Sequence, residues 1–551
     1  MSPVFASRAR RAAAVLIALA ALAALYVGWR ACWFLTDDAF IEFRYVQNGR
    51  LGFGYTWNPP PFLPVEGYTS FLWVALLDAT WRVTGVAPPE AANTIGLLCG
   101  VGSVAATGLM LARVDLGARL ARARLAVAAL GLAGVLSNRT FLAWQSSGLE
   151  APLFILLVLW WVAAALFART RGAAYALGVT ASAALLALTR PDGLLFAAAS
   201  VALVALAPPA PGRRSALRGA WPLLIVPAHV LWRRHRYGEW LPNTYYAKVV
   251  APWPEAGVRY LASFVLEYGF WILVPLVIFA VAANAGRMRA AVASAPGGAR
   301  GLLRTAVVAG AVLAHVGYYA LRVGGDHFEY RILAHTVPLA FVLAAWLIGR
   351  MAPPPLAGVA WLAVAVAVSL PVPWAHWVLA RNAPPPTRAQ PHVVVPVAPA
   401  FPARLRRYVE TFDELQAWLI PHAICIRWQE HRRFFDSIVA RYPPREAGLK
   451  VPVSDHPVLA VSAVGLVGWN APRVAIIDRL GLNDYVIARS KVAEQAYRKM
   501  AHDRHPPPGY VECFEPNVSY TPSAFFVAPR AAPLTDAAIE ACEARFRAQV
   551  R

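Results

Sequence analysis

Long apolar runs separated by short clusters of arginine leave this chain few ways to fold. In a bilayer such runs satisfy their backbone polar groups as helices, and each needs about 20 residues to cross a hydrocarbon core ~30 Å thick. The runs fall near 12–30, 91–112, 125–138, 151–168, 173–189, 193–208, 219–232, 261–283, 305–321, 332–349 and 355–378, about eleven in all. Hydrophobic residues make up 58% of the chain, charged ones 15%, and mean hydropathy is +0.48, a balance no ordinary soluble domain has. The expected architecture is a polytopic α-helical membrane protein with about eleven transmembrane helices over residues 1–380. The first run follows Arg8, Arg10 and Arg11 and reads as a retained signal anchor, with a cleaved signal peptide as the alternative.

A formal charge of +22 is compatible with nucleic-acid binding, but the arginines do not form one patch. They fall in blocks between the apolar runs: Arg113 to Arg124, Arg169 with Arg171, Arg213 to Arg218, and Arg287, Arg289, Arg300 and Arg304. That is the positive-inside pattern, and it argues for membrane lipids and against a nucleic-acid partner. With a cytoplasmic amino terminus, every block is cytoplasmic only if residues 31–90 stay wholly outside. The apolar stretch 68–82 then lies along the outer leaflet as an interfacial helix. The alternative is a twelfth crossing, which would place the first arginine block outside.

This parity puts the polar motifs on one side. They are Phe34-Leu-Thr-Asp-Asp-Ala-Phe-Ile-Glu-Phe-Arg44, Ser147-Gly-Leu-Glu150, Thr189-Arg-Pro-Asp-Gly193, Leu241-Pro-Asn-Thr-Tyr-Tyr-Ala-Lys248 and Gly324-Gly-Asp-His-Phe-Glu-Tyr-Arg331. Carboxylates at a membrane boundary are costly unless paired or used, which marks Asp37 and Asp38. An external carboxylate can remove a proton from an acceptor hydroxyl. Arg190, Lys248, His327 and Arg331 add cations where the charge rule does not ask for them, as an anionic lipid-phosphate leaving group would require. Arg233, Arg234 and Arg236 are explained equally well by lipid head groups. Asp326 and His327 alone do not specify a metal site, and the sequence leaves a divalent cation open.

After the prolines at 384–386, 391 and 396, residues 381–551 lose the long apolar runs. Strand-like pieces at 458–467 and 473–477 and a helix-like piece at 488–500 predict a small α/β or α+β domain, external by parity. Of Cys425, Cys513 and Cys542, an oxidising compartment allows one disulfide and one leftover thiol, and the spacing chooses no pair.

The ordered motifs resemble the bacterial GT-C glycosyltransferases of the arabinofuranosyltransferase group. The likeness runs from Thr36-Asp-Asp-Ala-Phe-Ile-Glu-Phe-Arg-Tyr45 through Gly52-Phe-Gly54, Asn58-Pro59 and Val65-Glu-Gly-Tyr-Thr-Ser70 to the four later motifs, with echoes at Leu480-Gly-Leu-Asn-Asp484 and Pro508-Gly-Tyr510. It implies inverting transfer of a sugar, such as arabinofuranose, from a polyprenyl-phosphate donor to a glycan or other envelope acceptor. The implied setting is the bacterial inner membrane, with the C-terminal domain periplasmic. The catalytic base maps onto Asp37, with Asp38 as its neighbour. Lys248, His327, Arg331 and Arg190 are the implied donor-phosphate ligands, and Glu66, Tyr68, Glu150, Asp192, Asn243 and Asp326 the sugar and acceptor pocket. A non-enzymatic factor for envelope or motility assembly, or a transporter, is the competing reading. Against a transporter stand the scarcity of mid-span charges and the lack of paired broken helices.

Overall fold

The computed structural model describes residues 3–206, 212–248, 251–284, 298–381, 392–492 and 498–550. Six helices in this set are long and apolar enough to cross a membrane: Arg8–Ala31, Pro88–Arg113, Gly172–Thr189, Ala299–Val323, Arg331–Arg350 and Pro355–Arg381. The chain is thus a multi-pass membrane protein by the length and composition of its helices. The expected span 261–283 is not one rod. It is broken into Pro254–Glu267 and Phe270–Asn284, bent by 85°, and if counted as one crossing it makes seven. Gly269, between the two halves, has φ +60°, and a Cβ there would meet Val368 at 2.4 Å, so the corner needs a residue without a side chain. The expected spans near 125–138, 151–168 and 193–208 are also helical but shorter, as Arg124–Leu136, Ala151–Phe167 and Pro191–Ala205. Arg287 and Arg289 of the fourth basic block, and the prolines at 384–386 and 391, lie outside the described residues.

Two helices show how the motifs and the first arginine block are separated. Pro88–Arg113 starts beside the acid-pair loop, where Asn93 donates to the Phe34 carbonyl at 2.9 Å, and Arg331–Arg350 starts at the end of the Gly324 motif. At their far ends Asp115 pairs with Arg350 at 3.1 Å. Each helix is about 30–40 Å long at 1.5 Å per residue, so polar motifs and arginine block sit a membrane thickness apart.

Within residues 31–90, Thr36 caps the helix Asp37–Arg50 by accepting from the Ala39 amide at 3.2 Å. Both aspartates sit in its first turn, where the helix dipole favours negative charge. The helix Phe71–Thr84 has 14 residues, about 21 Å, less than the thickness of a hydrocarbon core. It buries Trp73, Val74 and Leu77, and its acid, Asp78, is held by Arg82 at 2.9 Å and the Tyr55 hydroxyl at 2.8 Å.

The tail after residue 391 mixes helices with two small sheets. Strands β1 (Val458–Val461) and β2 (Ala475–Asp478) pair in parallel, and β3 (Val518–Tyr520) and β4 (Phe525–Val527) pair antiparallel. The expected strand 458–467 ends at Val461, and Gly465–Asn470 is helical instead. In place of the expected helix 488–500 there is Tyr485–Arg489, which begins earlier because Asp484 caps it through the Val486 and Ile487 amides, both at 3.0 Å. Residues 493–497 lie outside the described set. Cys513 and Cys542 form the disulfide, leaving Cys425 as a buried thiol.

This tail is fastened to the membrane helices through buried polar groups. Arg44, fully buried, donates to the carbonyls of Gly468 at 2.6 Å and Val474 at 2.8 Å, and Trp57 donates to that of Ile476 at 2.9 Å. Deeper, Arg139 and Arg427 meet Glu267 and Glu329: Arg139 reaches Glu329 at 2.5 Å and Glu267 at 3.3 Å, and Arg427 reaches them at 2.7 and 2.9 Å. Two cations against two anions make the cluster neutral, the condition under which charges tolerate removal from water. Phe34, Trp144, Phe328 and Trp428 pack around it, so apolar contact is continuous between bundle and tail.

Candidate active-site cavity

A cavity of about 160 Å³ opens where the motif loops meet. The first loop supplies Asp38, Glu42 and Tyr68, and the next two motifs supply Glu150, Arg190 and Asp192. Thr244, Tyr245 and Lys248 come from the fourth, Asp326, His327 and Arg331 from the fifth, and the tail closes one wall with Leu482, Met500 and Ala501. Nine of the twelve residues singled out from the sequence therefore share one cavity wall, and Asp37, Glu66 and Asn243 do not line it.

The acid pair is split by helix geometry. Adjacent residues on a helix point about 100° apart and cannot serve one site equally. Asp37 turns toward the tail and accepts from the Leu466 amide at 2.7 Å and the Gly465 amide at 3.2 Å. The approach is so close that a Cβ on Gly465 would lie 1.8 Å from the Asp37 carbonyl oxygen. Burial pushes the Asp37 carboxyl up to about 7 against the pull of those amides, with the neighbouring Asp38 adding to the rise. Asp38 lines the cavity and, among the described residues, makes no hydrogen bond or ion pair. Of the expected base Asp37 and its neighbour Asp38, it is Asp38 that faces the cavity.

Glu66 and Asn243 are structural anchors. Glu66 is buried against Arg233 at 2.5 Å, and burial lifts its carboxyl to about 7 even beside that guanidinium. Asn243 donates to the carbonyls of Gly481 at 2.9 Å and of Leu482 and Asp484 at 3.0 Å, fixing the tail loop that contributes Leu482 to the cavity.

Most cavity charges are already paired. Arg190 contacts Glu150, reaches Asp192 at 3.1 Å and donates to the Tyr319 hydroxyl at 2.5 Å. Tyr319 in turn donates to Asp192 at 2.8 Å, and His315 meets the same carboxylate at 2.8 Å. Arg331 binds Asp326 at 3.0 Å and lies 4.0 Å from Glu150. Burial works to raise the Glu150 carboxyl, but Arg331 and Arg190 outweigh it and hold Glu150 below its ordinary range. Two guanidiniums thus face three carboxylates, which leaves Arg190 and Arg331 little charge to offer an external phosphate.

His327 offers no charge either. Its Nδ1 lies 2.8 Å from the Ala423 carbonyl, which can only accept, so that nitrogen carries the proton and Nε2 holds a lone pair. Burial, with His502, His431 and His392 around it, pushes its pKa well below the usual value, so the ring is neutral at pH 7. The loop carrying it is locked by backbone pairing with the tail: the Cys425 amide donates to Asp326 at 3.0 Å, Ile426 to His327 at 2.8 Å, and Glu329 to Ile426 at 2.9 Å. Lys248 is different. It lines the cavity and has no hydrogen bond or ion pair among the described residues.

Sequence reasoning missed Glu42, Thr244, Tyr245, His315 and Tyr319. Glu42 was findable, since it follows Asp38 by four positions and so shares its helix face. Thr244 and Tyr245 lie inside a motif already marked, whereas His315 and Tyr319 sit in an apolar span with no local signal. Among the described residues no group of three or more His, Cys, Asp or Glu side chains is arranged to hold a metal ion.

No family model matches the chain, and no curated protein matches it. Among solved structures it is similar to ArnT from Cupriavidus metallidurans bound to undecaprenyl phosphate, at 12% identity over 86% of this chain and 87% of that one, with a TM-score of 0.46. ArnT from the same organism in the apo state gives 14% identity, 87% and 88% coverage, and a TM-score of 0.46. At that level neither substrate nor mechanism transfers from that protein to this chain.

Proposed function

We propose that this protein is a GT-C-type glycosyltransferase that moves a sugar from a polyprenyl-phosphate donor to an envelope glycan or other acceptor outside the cytoplasmic membrane. The observation that carries the reading is the pair left over when the cavity charges are matched among the described residues: Asp38, a carboxylate without a partner there, and Lys248, an ammonium without one. In this reading Asp38 takes the proton of the acceptor hydroxyl as its oxygen attacks the anomeric carbon. The bond from that carbon to the phosphate oxygen breaks with inversion, and the polyprenyl phosphate leaves with its negative charge against Lys248. Arg190 and Arg331 act by holding Glu150, Asp192 and Asp326 in place around the sugar, and the ordered motifs make a pentofuranose such as arabinofuranose the first sugar to test. The arginine blocks support a cytoplasmic amino terminus in a bacterial inner membrane, and the Cys513–Cys542 disulfide supports an oxidising, periplasmic tail.

The test compares Asp38→Asn with Asp37→Asn in membranes supplied with polyprenyl-phosphoryl arabinofuranose and with the lipid-linked sugars that build up in a deletion strain. Asp38→Asn is expected to lower transfer by at least about a hundredfold with insertion intact, the usual scale for a general base. Transfer by Asp38→Asn at the wild-type rate refutes the assignment.

A further inference from the structure

Three carboxyl groups, Asp38, Glu42 and Glu150, border the same part of the cavity, and they are not equivalent. Glu150 has Arg190 and Arg331 beside it. Glu42 is 6% exposed, and its hydrogen-bond partner is neutral: the Ser70 hydroxyl, which donates to Oε1. Its second oxygen, Oε2, is buried without any hydrogen-bond partner among the described residues. The charged groups facing Glu42 are Glu150 and Asp38, which oppose its ionisation, and Arg331, which favours it but is already bound to Asp326 at 3.0 Å. A buried carboxylate with one hydroxyl donor and two acidic neighbours is far costlier than the neutral acid. Burial and these neighbours raise its pKa well above the ordinary value. With Ser70 donating to Oε1, the proton of a neutral carboxyl falls on Oε2, from which no group among the described residues accepts, one helical turn beyond Asp38 on the same face.

We propose that Glu42 is a specificity residue that reads a hydroxyl of the bound sugar, its Oε2–H donating to that hydroxyl while Oε1 stays fixed by Ser70. The inference rests on the cavity being the sugar site. It adds a ligand class for that wall, a polyol hydroxyl accepting a hydrogen bond beside the base, and it predicts discrimination against the deoxy analogue. A site with a buried donor penalises a ligand that leaves the donor unpaired, here by about ten- to a hundredfold in affinity.

Two readouts on the full-length protein in nanodiscs need no turnover. The first is pH-dependent infrared difference spectroscopy in an Asp37→Asn background, where a protonated-carboxyl component is expected at pH 7 beyond those of Glu66 and Glu543 and is expected to be lost in Glu42→Gln. The second is binding of farnesyl-phosphoryl pentoses and hexoses, each hydroxyl in turn replaced by hydrogen. Wild type and Glu42→Gln, whose amide can still donate, are expected to discriminate against one deoxy analogue by about ten- to a hundredfold, and Glu42→Leu to lose that discrimination. Matching melting temperatures and monodisperse elution establish that each variant is folded. No loss of protonated-carboxyl intensity at pH 7 in Glu42→Gln, indifference of wild type to every hydroxyl in the panel, or discrimination kept by Glu42→Leu overturns the proposal. Failure of the transferase reading shows separately, as transfer that Asp38→Asn leaves untouched.

Discussion

Replacing Arg139 by methionine tests whether the neutral buried quartet is what holds the tail against the membrane helices. Arg139 and Glu267 are fully buried, and Arg427 and Glu329 are each 1% exposed, so none of the four can turn to water when a partner is lost. Arg139→Met removes the 2.5 Å contact to Glu329 and the 3.3 Å contact to Glu267, leaving two carboxylates on one guanidinium. Breaking one side of a buried pair costs about 3–5 kcal/mol, roughly two to four decades in the folded-to-unfolded ratio. The choice of second mutation follows from the geometry. Removing Glu267 as well leaves Arg427 and Glu329 as an intact pair at 2.7 Å, again neutral. Arg139→Met with Glu267→Leu is therefore expected to cost at least ~2 kcal/mol less than the sum of the single variants, a coupling of the size seen for residues in one ionic network. Reversible unfolding of the purified protein in mixed micelles, or steric trapping in bicelles, measures all four corners of the cycle. Additive single costs refute the argument, because they mean that the four groups do not share one charge balance. Transfer activity should follow stability here, since Glu329 lies two residues from both His327 and Arg331 in the loop that lines the cavity.

Other consequences are as direct. The native Asp37 carboxyl, pushed up from 3.8 to about 7, binds its proton more tightly than the unfolded chain does, so stability should fall as pH rises from about 4 to about 7. Asp37→Asn should flatten part of that slope in melting curves, with Glu66 and Glu543, both near 7, Asp484, near 6, and Glu42, raised by burial, also contributing, and an unchanged slope would remove Asp37 as a source. Reducing the Cys513–Cys542 disulfide, which closes a separation of 29 residues, should cost about 3–4 kcal/mol and lower the melting temperature, and an unchanged melting curve would count against its role. Single cysteines at the exposed positions Val86 and Ala118 should be labelled by an impermeant maleimide from outside only at Val86, while external labelling at position 118 would make Phe71–Thr84 part of a crossing.

The helices of the membrane region and the gathering of its motifs were legible in the sequence because they depend on local pattern. An apolar run of crossing length has to be helical in lipid, and arginine blocks bias which ends stay in the cytoplasm. The motifs at Asp38, Glu150, Arg190, Lys248 and Asp326 accordingly point to one cavity without any knowledge of their contacts. What tertiary structure alone decided is which charges are spent. Asp37 and Asp38 are equivalent as letters, yet the 100° between adjacent helix positions turns one to the Gly465 amide and the other to the cavity. Arg190 and Arg331 look like phosphate ligands until Glu150, Asp192 and Asp326 are found against them, and Arg44 looks like the natural partner of the acid pair until its guanidinium is found on carbonyls of residues 468 and 474. Asp192 and Asp326 lie only 2 and 5 residues from their arginines, but Glu150 lies 40 residues from Arg190 and the Gly468 carbonyl 424 from Arg44. Hydropathy reads the solvent each segment prefers, whereas the charge left free in a cavity depends on every group that packs around it.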